Sequence, residues 1–219
     1  MRTDPFHDTL TFLMADFPDQ TALGVWRWPI MGLFYALMLG SLFTAAWQWT
    51  EDPAQRTGRD LGIWISRVLV GCMWFQNLFW KLPVSLENGL HYWTGLEVTD
   101  AAFALQADLV RDVLLPSPQF LALNVLVLLV EAAFAVSLIL GVGMRLLGTV
   151  GLVFSLQLWS GLYRNTAEWP WSYVFLALLM GLFALAAAGR SLGLDAALRR
   201  RYPIGLTDGA VGALVRVAT

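Results

Sequence analysis

Residues 120–143 read FLALNVLVLLVEAAFAVSLILGVG, an apolar run that contains one charge, Glu131. A helix needs about 20 mainly apolar residues to cross the roughly 30 Å of hydrocarbon in a bilayer, and this run is long enough. Its apolar residues are continuous rather than alternating, and an open sheet edge cannot face lipid. The run therefore predicts a membrane-spanning α-helix.

Four further segments have the same character and predict four more spans: Pro29–Trp49, Leu61–Leu82, Leu146–Tyr163 and Pro170–Gly189. The second contains Arg67 and ends near Lys81, whereas the other three carry no charge. Only residues 141–145 separate the third span from the fourth, so these two are expected to form a tight antiparallel hairpin. The predicted fold class is an all-α integral membrane protein with about five spans.

The composition excludes a soluble enzyme. The chain is 58% hydrophobic and 14% charged, with a mean hydropathy of +0.61, whereas a soluble domain carries roughly a quarter charged residues. A single cysteine, Cys72, rules out an internal disulfide. His7 and His91 both lie outside the apolar runs, so this chain is not expected to ligate haem or a metal on its own.

No cleavable signal peptide is expected, because Asp4, Asp8 and Asp16 stand where its basic and apolar parts should be. Lysines and arginines then predict the orientation, since they are enriched on the cytoplasmic side. With the C-terminus inside, the inner side carries Arg56, Arg59, Arg145, Arg190, Arg199, Arg200, Arg201 and Arg216. The outer side carries Arg2, Arg27, Lys81, Arg111 and Arg164. The count of eight against five predicts that the N-terminus lies outside and the C-terminus in the cytoplasm.

Two segments outside the spans have the pattern of interfacial helices, which lie along a membrane or a partner protein. In residues 5–17 the apolar positions with helical spacing are Phe6, Leu10, Leu13 and Phe17. A helix over 99–115 is expected to begin at Thr99 as N-cap, with an apolar stripe of Leu105, Leu109 and Val113. Both segments are rich in acidic residues, which favours packing on protein over binding to anionic lipid. The basic run Arg199–Arg201, in the C-terminal tail, is instead expected to bind lipid phosphates.

Ionisable groups inside spans usually face the bundle interior and have a partner. Glu131 lies near the centre of span three, and Arg67 lies slightly to the cytoplasmic side of the centre of span two. Their vertical offset is about 7 Å at a rise of ~1.5 Å per residue, which an arginine side chain can cover. We therefore predict an Arg67–Glu131 pair, with either a packing or a functional role.

Further polar and aromatic residues concentrate toward the outer side: Gln76, Asn77, Lys81, His91, Trp93, Asn124, Gln157, Arg164 and Glu168. Together they predict an outward-opening cup, apolar with a few hydrogen-bonding groups, as small-molecule sites usually are. Each member also has a simpler interpretation. Tryptophans belong to the interfacial belt, amides join helices, Lys81 reaches the interface, and His91 is an ordinary loop histidine.

The order of short motifs resembles the DoxX/DoxD-like membrane proteins. They are Arg67–Gly71, Trp74–Asn77, Trp80–Pro83, Glu131, Leu140–Gly141, Met144–Arg145 and the glycine-rich end Ala188–Asp195. The resemblance, closest to the DoxD-like branch, implies a four-helix core over 61–198 that includes the outer loop helix 99–115. Residues 1–28 then form an amphipathic N-terminal segment, 29–49 an extra transmembrane helix and 199–219 a cytoplasmic basic tail.

The resemblance also implies a function, since some family members are small subunits of the thiosulfate:quinone oxidoreductase type. A small membrane subunit of a quinone-linked redox complex is therefore expected. Quinone carbonyls would be bound by Lys81, Gln76, Asn77 or His91, with Trp80 and Trp93 stacking on the ring. Glu131 would relay protons, and a close Arg67 would adjust the proton affinity of Glu131.

The alternative is a non-catalytic accessory subunit docked on a larger respiratory or photosynthetic assembly. A small transporter is a third possibility, although no repeat of broken spans supports it. The expected partners are other membrane-protein subunits and lipid, and not nucleic acid. A pocket open to lipid favours the quinone hypothesis, whereas a bundle filled by side chains favours the accessory one.

Overall fold

The computed structural model describes residues 4–169, 171–202 and 210–219, and all regular structure within them is helical. The all-α class expected from the sequence is confirmed over these residues. The helices are α1 (Pro5–Leu13), α2 (Pro18–Thr21), α3 (Arg27–Glu51), α4 (Gly58–Gln76), α5 (Gly89–Asp100), α6 (Ala104–Leu109), α7 (Gln119–Leu140), α8 (Met144–Gly161), α9 (Ser172–Leu185), α10 (Leu194–Arg201) and α11 (Ala210–Ala218). Arg2, Pro170, residues 203–209 and the side chain of Arg216, which the sequence-based predictions used, lie outside this description.

Two stretches of helix are long and apolar enough to cross a membrane, Gly24–Glu51 and Gln119–Leu140. Helix α9 is apolar but shorter. Helix α4 ends at Gln76 rather than continuing to Leu82, and a 3₁₀ turn, Phe79–Lys81, follows it. This break turns Lys81 back into the bundle, where its side chain is buried.

The long helices pack in two close pairs, α4 with α7 and α8 with α9, while α7 and α8 make fewer contacts with each other. Glycines permit the close approach within each pair. A β-carbon on Gly71 would lie 2.8 Å from the Ile139 side chain, and one on Gly148 would lie 2.9 Å from the Met180 carbonyl oxygen. The apolar core between the helices includes Trp74, Phe75, Phe134, Leu138, Ile139 and Met180.

One end of the bundle, named here the glycine end, is formed by the turn 141–143 and the segment 188–195. Gly141 and Gly143 both have positive φ angles, 68° and 66°, which glycine adopts without steric cost. Asp195 is fully buried, and its carboxylate accepts hydrogen bonds from the backbone N–H groups of Gly143 at 2.7 Å and Met144 at 3.1 Å. Its own backbone N–H donates to the Gly141 carbonyl at 2.8 Å. Asp195 thus caps α8 and ties α10 to the α7–α8 turn.

Two arginines of the run at the end of α10 contact the protein itself, and the lipid anchor stays a prediction. Arg200 donates a 2.5 Å hydrogen bond to Gln48 and lies 3.5 Å from the carboxylate of Asp52. Arg199 donates to Thr219 through two of its nitrogens, at 3.2 and 3.3 Å. These contacts hold α10 against the end of α3 and the last helix.

The N-terminal amphipathic segment is helical, as predicted, but its apolar stripe faces outward. None of the residues of α1 is buried, and Phe6 is 83% exposed. Phe12, which the predicted stripe omitted, turns inward instead, and its ring packs edge-on against Phe34 and Phe79. The segment is also held by the fully buried Ala15 and by a hydrogen bond from the Tyr35 hydroxyl to the Leu13 carbonyl, while Phe6 and Leu10 of its stripe stay exposed.

The predicted helix over 99–115 begins later than expected, and Thr99 is not its N-cap. Thr99 belongs to the last turn of α5, where its hydroxyl donates to Leu96 O and lies 2.9 Å from the carboxylate of Asp100. Helix α5 then ends, and the Ala102 N–H donates to the carbonyl of Ser160 on α8 instead of to its own helix. Helix α6 follows and continues into a π-helical turn, Val110–Leu114.

Candidate ligand cavity

A cavity of about 1270 Å³ lies at the end of the bundle opposite the glycine end. Residues of α4, α7, α8 and α9 line it, and α5 and α6 contribute the lining residues at its top. Leu126 of α7 and Val153 of α8 line it and are themselves exposed, so it reaches the surface between these two helices. Its wall includes Thr149 and Ser160 of α8, which are about 17 Å apart along a helix. The space is elongated as well as large.

A buried ion pair forms part of the wall. The ammonium of Lys81 lies 2.5 Å from the carboxylate of Glu131, and the two residues are 1% and 4% exposed. Lys81 also donates to the backbone carbonyl of Asn77 at 2.8 Å, and its ammonium lies 3.8 Å from the centre of the Trp80 ring. An ammonium has three N–H donors, so one remains for a further partner. A buried pair of this kind is costly unless its remaining groups are satisfied.

The predicted Arg67–Glu131 pair is wrong. Arg67 donates instead to the backbone carbonyl of Leu138, and its guanidinium lies beneath Gly141 at the glycine end. Lys81 reaches Glu131 because helix α4 ends at Gln76 and the 3₁₀ turn that follows directs the lysine side chain inward. Two nitrogens of Arg67, Nε and Nη2, make no hydrogen bond within the described residues, and Asp195 is the carboxylate whose charge acts on it.

Glu97 on α5 is a second polar group of the cavity, and sequence reasoning missed it by treating it as one of several loop acids. It is 6% exposed and accepts hydrogen bonds from the side-chain amides of Gln106 at 3.2 Å and Gln157 at 2.9 Å. Burial raises the pKa of Glu97 to about 7, and the two amides oppose that rise. The spacing of Leu90, Thr94 and Glu97, all buried on one face of α5, was the available signal.

The remaining predicted site residues divide into two groups. Asn77, Trp80 and Trp93 line the cavity together with Lys81 and Glu131. Gln76 is exposed and does not line it, because it points about 100° away from Asn77 on the helix. His91 does not line it either, since its ring packs edge-on against Phe120 with centroids 4.7 Å apart.

Two further residues of the predicted cup, Gln157 and Asn124, have different outcomes. Gln157 lines the cavity as expected. Asn124 is fully buried and does not, because its amide donates to the Ser85 carbonyl at 3.4 Å. A donor that was not predicted is the indole N–H of Trp74, which is buried on the cavity wall without a hydrogen-bond partner among residues 4–169, 171–202 and 210–219.

The cavity is thus a long apolar space with a few polar groups at fixed points. Leucine, valine and phenylalanine side chains form much of its wall, and its polar groups include the ion pair, Glu97, Asn77, Gln157 and the unpaired indole N–H of Trp74. Such an arrangement fits an elongated apolar molecule with a polar head. No group of three His, Cys, Asp or Glu side chains that could hold a metal occurs within the part of the chain that the structure describes.

Comparison of the chain with known protein families, with curated protein sequences and with solved structures finds no match.

Proposed function

We propose that this chain is a five-span integral membrane protein of the bacterial inner membrane, related to the DoxX/DoxD-like proteins, and that it is the quinone-binding small subunit of a redox complex. Helices α3, α4, α7, α8 and α9 are the proposed spans, with the N-terminus outside and the C-terminus in the cytoplasm. In this orientation the glycine end is cytoplasmic, and the cavity opens in the outer half of the bilayer. The two helices that are long and apolar enough to cross a membrane support the coarser part of the proposal.

The observation that carries the proposal is the buried Lys81–Glu131 pair on the wall of an apolar cavity that opens between α7 and α8. A lateral opening suits a ligand that arrives through lipid. A quinone has an apolar tail and a ring with two carbonyl acceptors, and it carries two electrons when it is reduced. The cavity offers a matching apolar space about 17 Å long and unpaired donors on its wall.

The residues of this chain would hold and orient the ring. Lys81 has an N–H free to donate to a carbonyl, and the Trp74 indole N–H is a second donor without a partner in the described chain. Trp80 and Trp93 give flat apolar surfaces near Lys81. Glu131 holds the Lys81 ammonium in position through their 2.5 Å contact. The electron carrier would be a redox group on a partner subunit.

The test is to purify the native assembly in mild detergent and to extract and quantify bound quinone. Wild type should retain quinone, while Lys81→Ala and Glu131→Gln should lose most of it with the assembly intact. Gln76→Ala is the matched control, because Gln76 is exposed one residue before Asn77 and does not line the cavity. Unchanged quinone and turnover in both cavity variants would overturn the proposal.

A non-catalytic accessory subunit is the second candidate, and the outward stripe of α1 favours it. Phe6 and Leu10 are 83% and 61% exposed, and α1 has no buried residue, so this face is available to another subunit. Replacing both residues with serine should release the chain from its assembly if docking is its role. Retention of the assembly in this double variant would count against the accessory candidate.

A further inference from the structure

Glu97 is a buried carboxylate with an incomplete set of partners. Gln106 and Gln157 both donate to the same oxygen, Oε2, and Oε1 accepts no hydrogen bond from the described chain. Glu97 also forms no ion pair within residues 4–169, 171–202 and 210–219. Because Glu97 lines the cavity, its unpartnered oxygen belongs to the same space as the proposed ligand.

The surroundings of Glu97 keep its position fixed. Gln106 comes from α6 and Gln157 from α8, so the carboxylate joins three helices. Gly161 lies directly beside it, and a β-carbon at that position would collide with the carboxylate. An acceptor held in a fixed position on a cavity wall, without a partner from the described chain, is suited to accept a hydrogen bond from a donor on the ligand.

A hydrogen-bond donor is the feature that separates the two redox forms of a quinone. The oxidised ring presents two carbonyl oxygens, which only accept, whereas the reduced ring presents two hydroxyl groups, which also donate. Lys81 donates to either form, because a hydroxyl oxygen accepts as well. A carboxylate accepts a hydrogen bond from the hydroquinone and repels the carbonyl oxygen of the quinone. Hydrogen bonds to an ionised acceptor are roughly twice as strong as neutral ones.

We propose that Glu97 is a specificity-determining residue of the cavity that accepts a hydrogen bond from a ligand hydroxyl, so that the preferred ligand is the hydroquinone rather than the quinone. This inference rests on the proposed quinone-binding function and names the redox form that the site selects. Glu97 lies at the covered top of the cavity, whereas the Lys81–Glu131 pair contacts the ligand from the wall formed by α7 and the turn after α4.

The experiment is isothermal titration calorimetry on the quinone-depleted native assembly at pH 8 without oxygen. The two probes are a decyl-substituted benzoquinone and the same compound reduced to its hydroquinone. Wild type should bind the hydroquinone about tenfold more tightly than the quinone, because of the charge-assisted hydrogen bond. Glu97→Gln should weaken hydroquinone binding about tenfold and should strengthen quinone binding, because the repulsion of the quinone carbonyl is removed and the amide can donate to it.

The matched control is Glu87→Gln, which removes an exposed acid from the loop before α5 and should leave both affinities unchanged. The wild-type preference can be measured without any variant, so poor folding of Glu97→Gln does not remove the test. Equal binding of the two forms to wild type, or an unchanged preference in Glu97→Gln, would overturn this inference alone. Binding of neither form to wild type would overturn the proposed function, and this inference with it.

Discussion

The two ends of the bundle bury polar groups in opposite ways. At the glycine end the carboxylate of Asp195 accepts two backbone N–H groups, and backbone packs so closely that a β-carbon on Gly193 would lie 3.0 Å from the Cα of Gly141. At the cavity end Glu97 and the Lys81–Glu131 pair border a space of about 1270 Å³. Buried carboxylates therefore occur at both ends, but only one end is filled by protein.

The difference separates structural polar groups from ligand-binding ones. A buried carboxylate whose two oxygens both accept from backbone N–H groups is satisfied within the fold, and Asp195 meets this condition. Glu97 has one unpartnered oxygen, and Lys81 has one N–H to spare. We therefore expect substitutions at the glycine end to act on stability and substitutions at the cavity end to act on ligand binding.

The largest expected effect is the loss of stability in Asp195→Ala. The change leaves two buried backbone donors of the α8 N-terminus without an acceptor, each costing 1–3 kcal/mol, and it removes the nearest opposite charge from Arg67. The free energy of unfolding should fall by about 4 kcal/mol. Thermal unfolding in detergent, followed by circular dichroism, measures the change.

Two controls bracket this result. Asp195→Asn keeps one carbonyl acceptor and should lose roughly half as much stability. Asp112→Ala removes an exposed carboxylate that only pairs with Arg111, and should change the free energy of unfolding by less than about 0.5 kcal/mol. Equal unfolding temperatures for Asp195→Ala and Asp112→Ala would show that the glycine end is not held by this carboxylate.

A smaller effect is expected from the two glycines of the α7–α8 turn, which form a matched pair. Gly141 and Gly143 have nearly the same φ, but a β-carbon on Gly141 would lie 2.6 Å from the Arg67 guanidinium, whereas one on Gly143 meets nothing within 4 Å. Gly143→Ala should lower the free energy of unfolding by about 1 kcal/mol, because alanine is strained in this left-handed backbone conformation. Gly141→Ala should cost about 2–3 kcal/mol, because Arg67 must also move. Equal losses would mean that Arg67 adapts freely and that this end is less tightly packed than its contacts indicate.

The sequence was sufficient to predict the all-α class, the long apolar helices and the turn between α7 and α8, because apolar runs and glycine spacing are local signals. It did not predict α5, the end of α4 at Gln76 or the late start of α6. Grouping by depth also placed Asn77, Lys81, Trp93 and Gln157 in one cup, and all four line the cavity, whereas Gln76, His91, Asn124 and Arg164 of the same group do not. Trp80 and Glu131, predicted to stack on the ligand and to relay protons, line it as well. The five spans, the orientation and the family resemblance stay predictions.

The pairing of charges could not be predicted, because it depends on where a helix stops. Arg67 and Glu131 are compatible in depth if α4 continues straight to Leu82. The break after Gln76 brings Lys81 to Glu131 instead, and Arg67 extends to the opposite end of the bundle. Glu97 was missed for a related reason, since its importance comes from Gln106 and Gln157, which are distant in sequence and meet it only in the folded bundle.

The smallest expected effect is a pH dependence of stability at the cavity end. Burial raises the pKa of Glu97 from 4.5 to about 7, so the folded state binds a proton more tightly than the unfolded state. The stabilisation from this proton is fully present below pH 4.5 and is lost as the pH rises to about 7. Glutamine is neutral throughout, so Glu97→Gln should gain stability relative to wild type between pH 4.5 and 8. We expect a gain on the order of 1 kcal/mol, because the oxygen that faces the cavity remains partly solvated.

The measurement is the difference in unfolding temperature between Glu97→Gln and wild type, in detergent without added quinone, at pH 5 and at pH 8. Taking the difference removes the contribution of ionisable groups that both proteins share. Asp195→Asn gives the comparison with the other end, since it should be less stable than wild type at both pH values. A difference for Glu97→Gln that is the same at both pH values would mean that Glu97 does not titrate in this range. Glu97 would then resemble Asp195 as a permanently satisfied group, and the contrast between the two ends would rest on the Lys81–Glu131 pair alone.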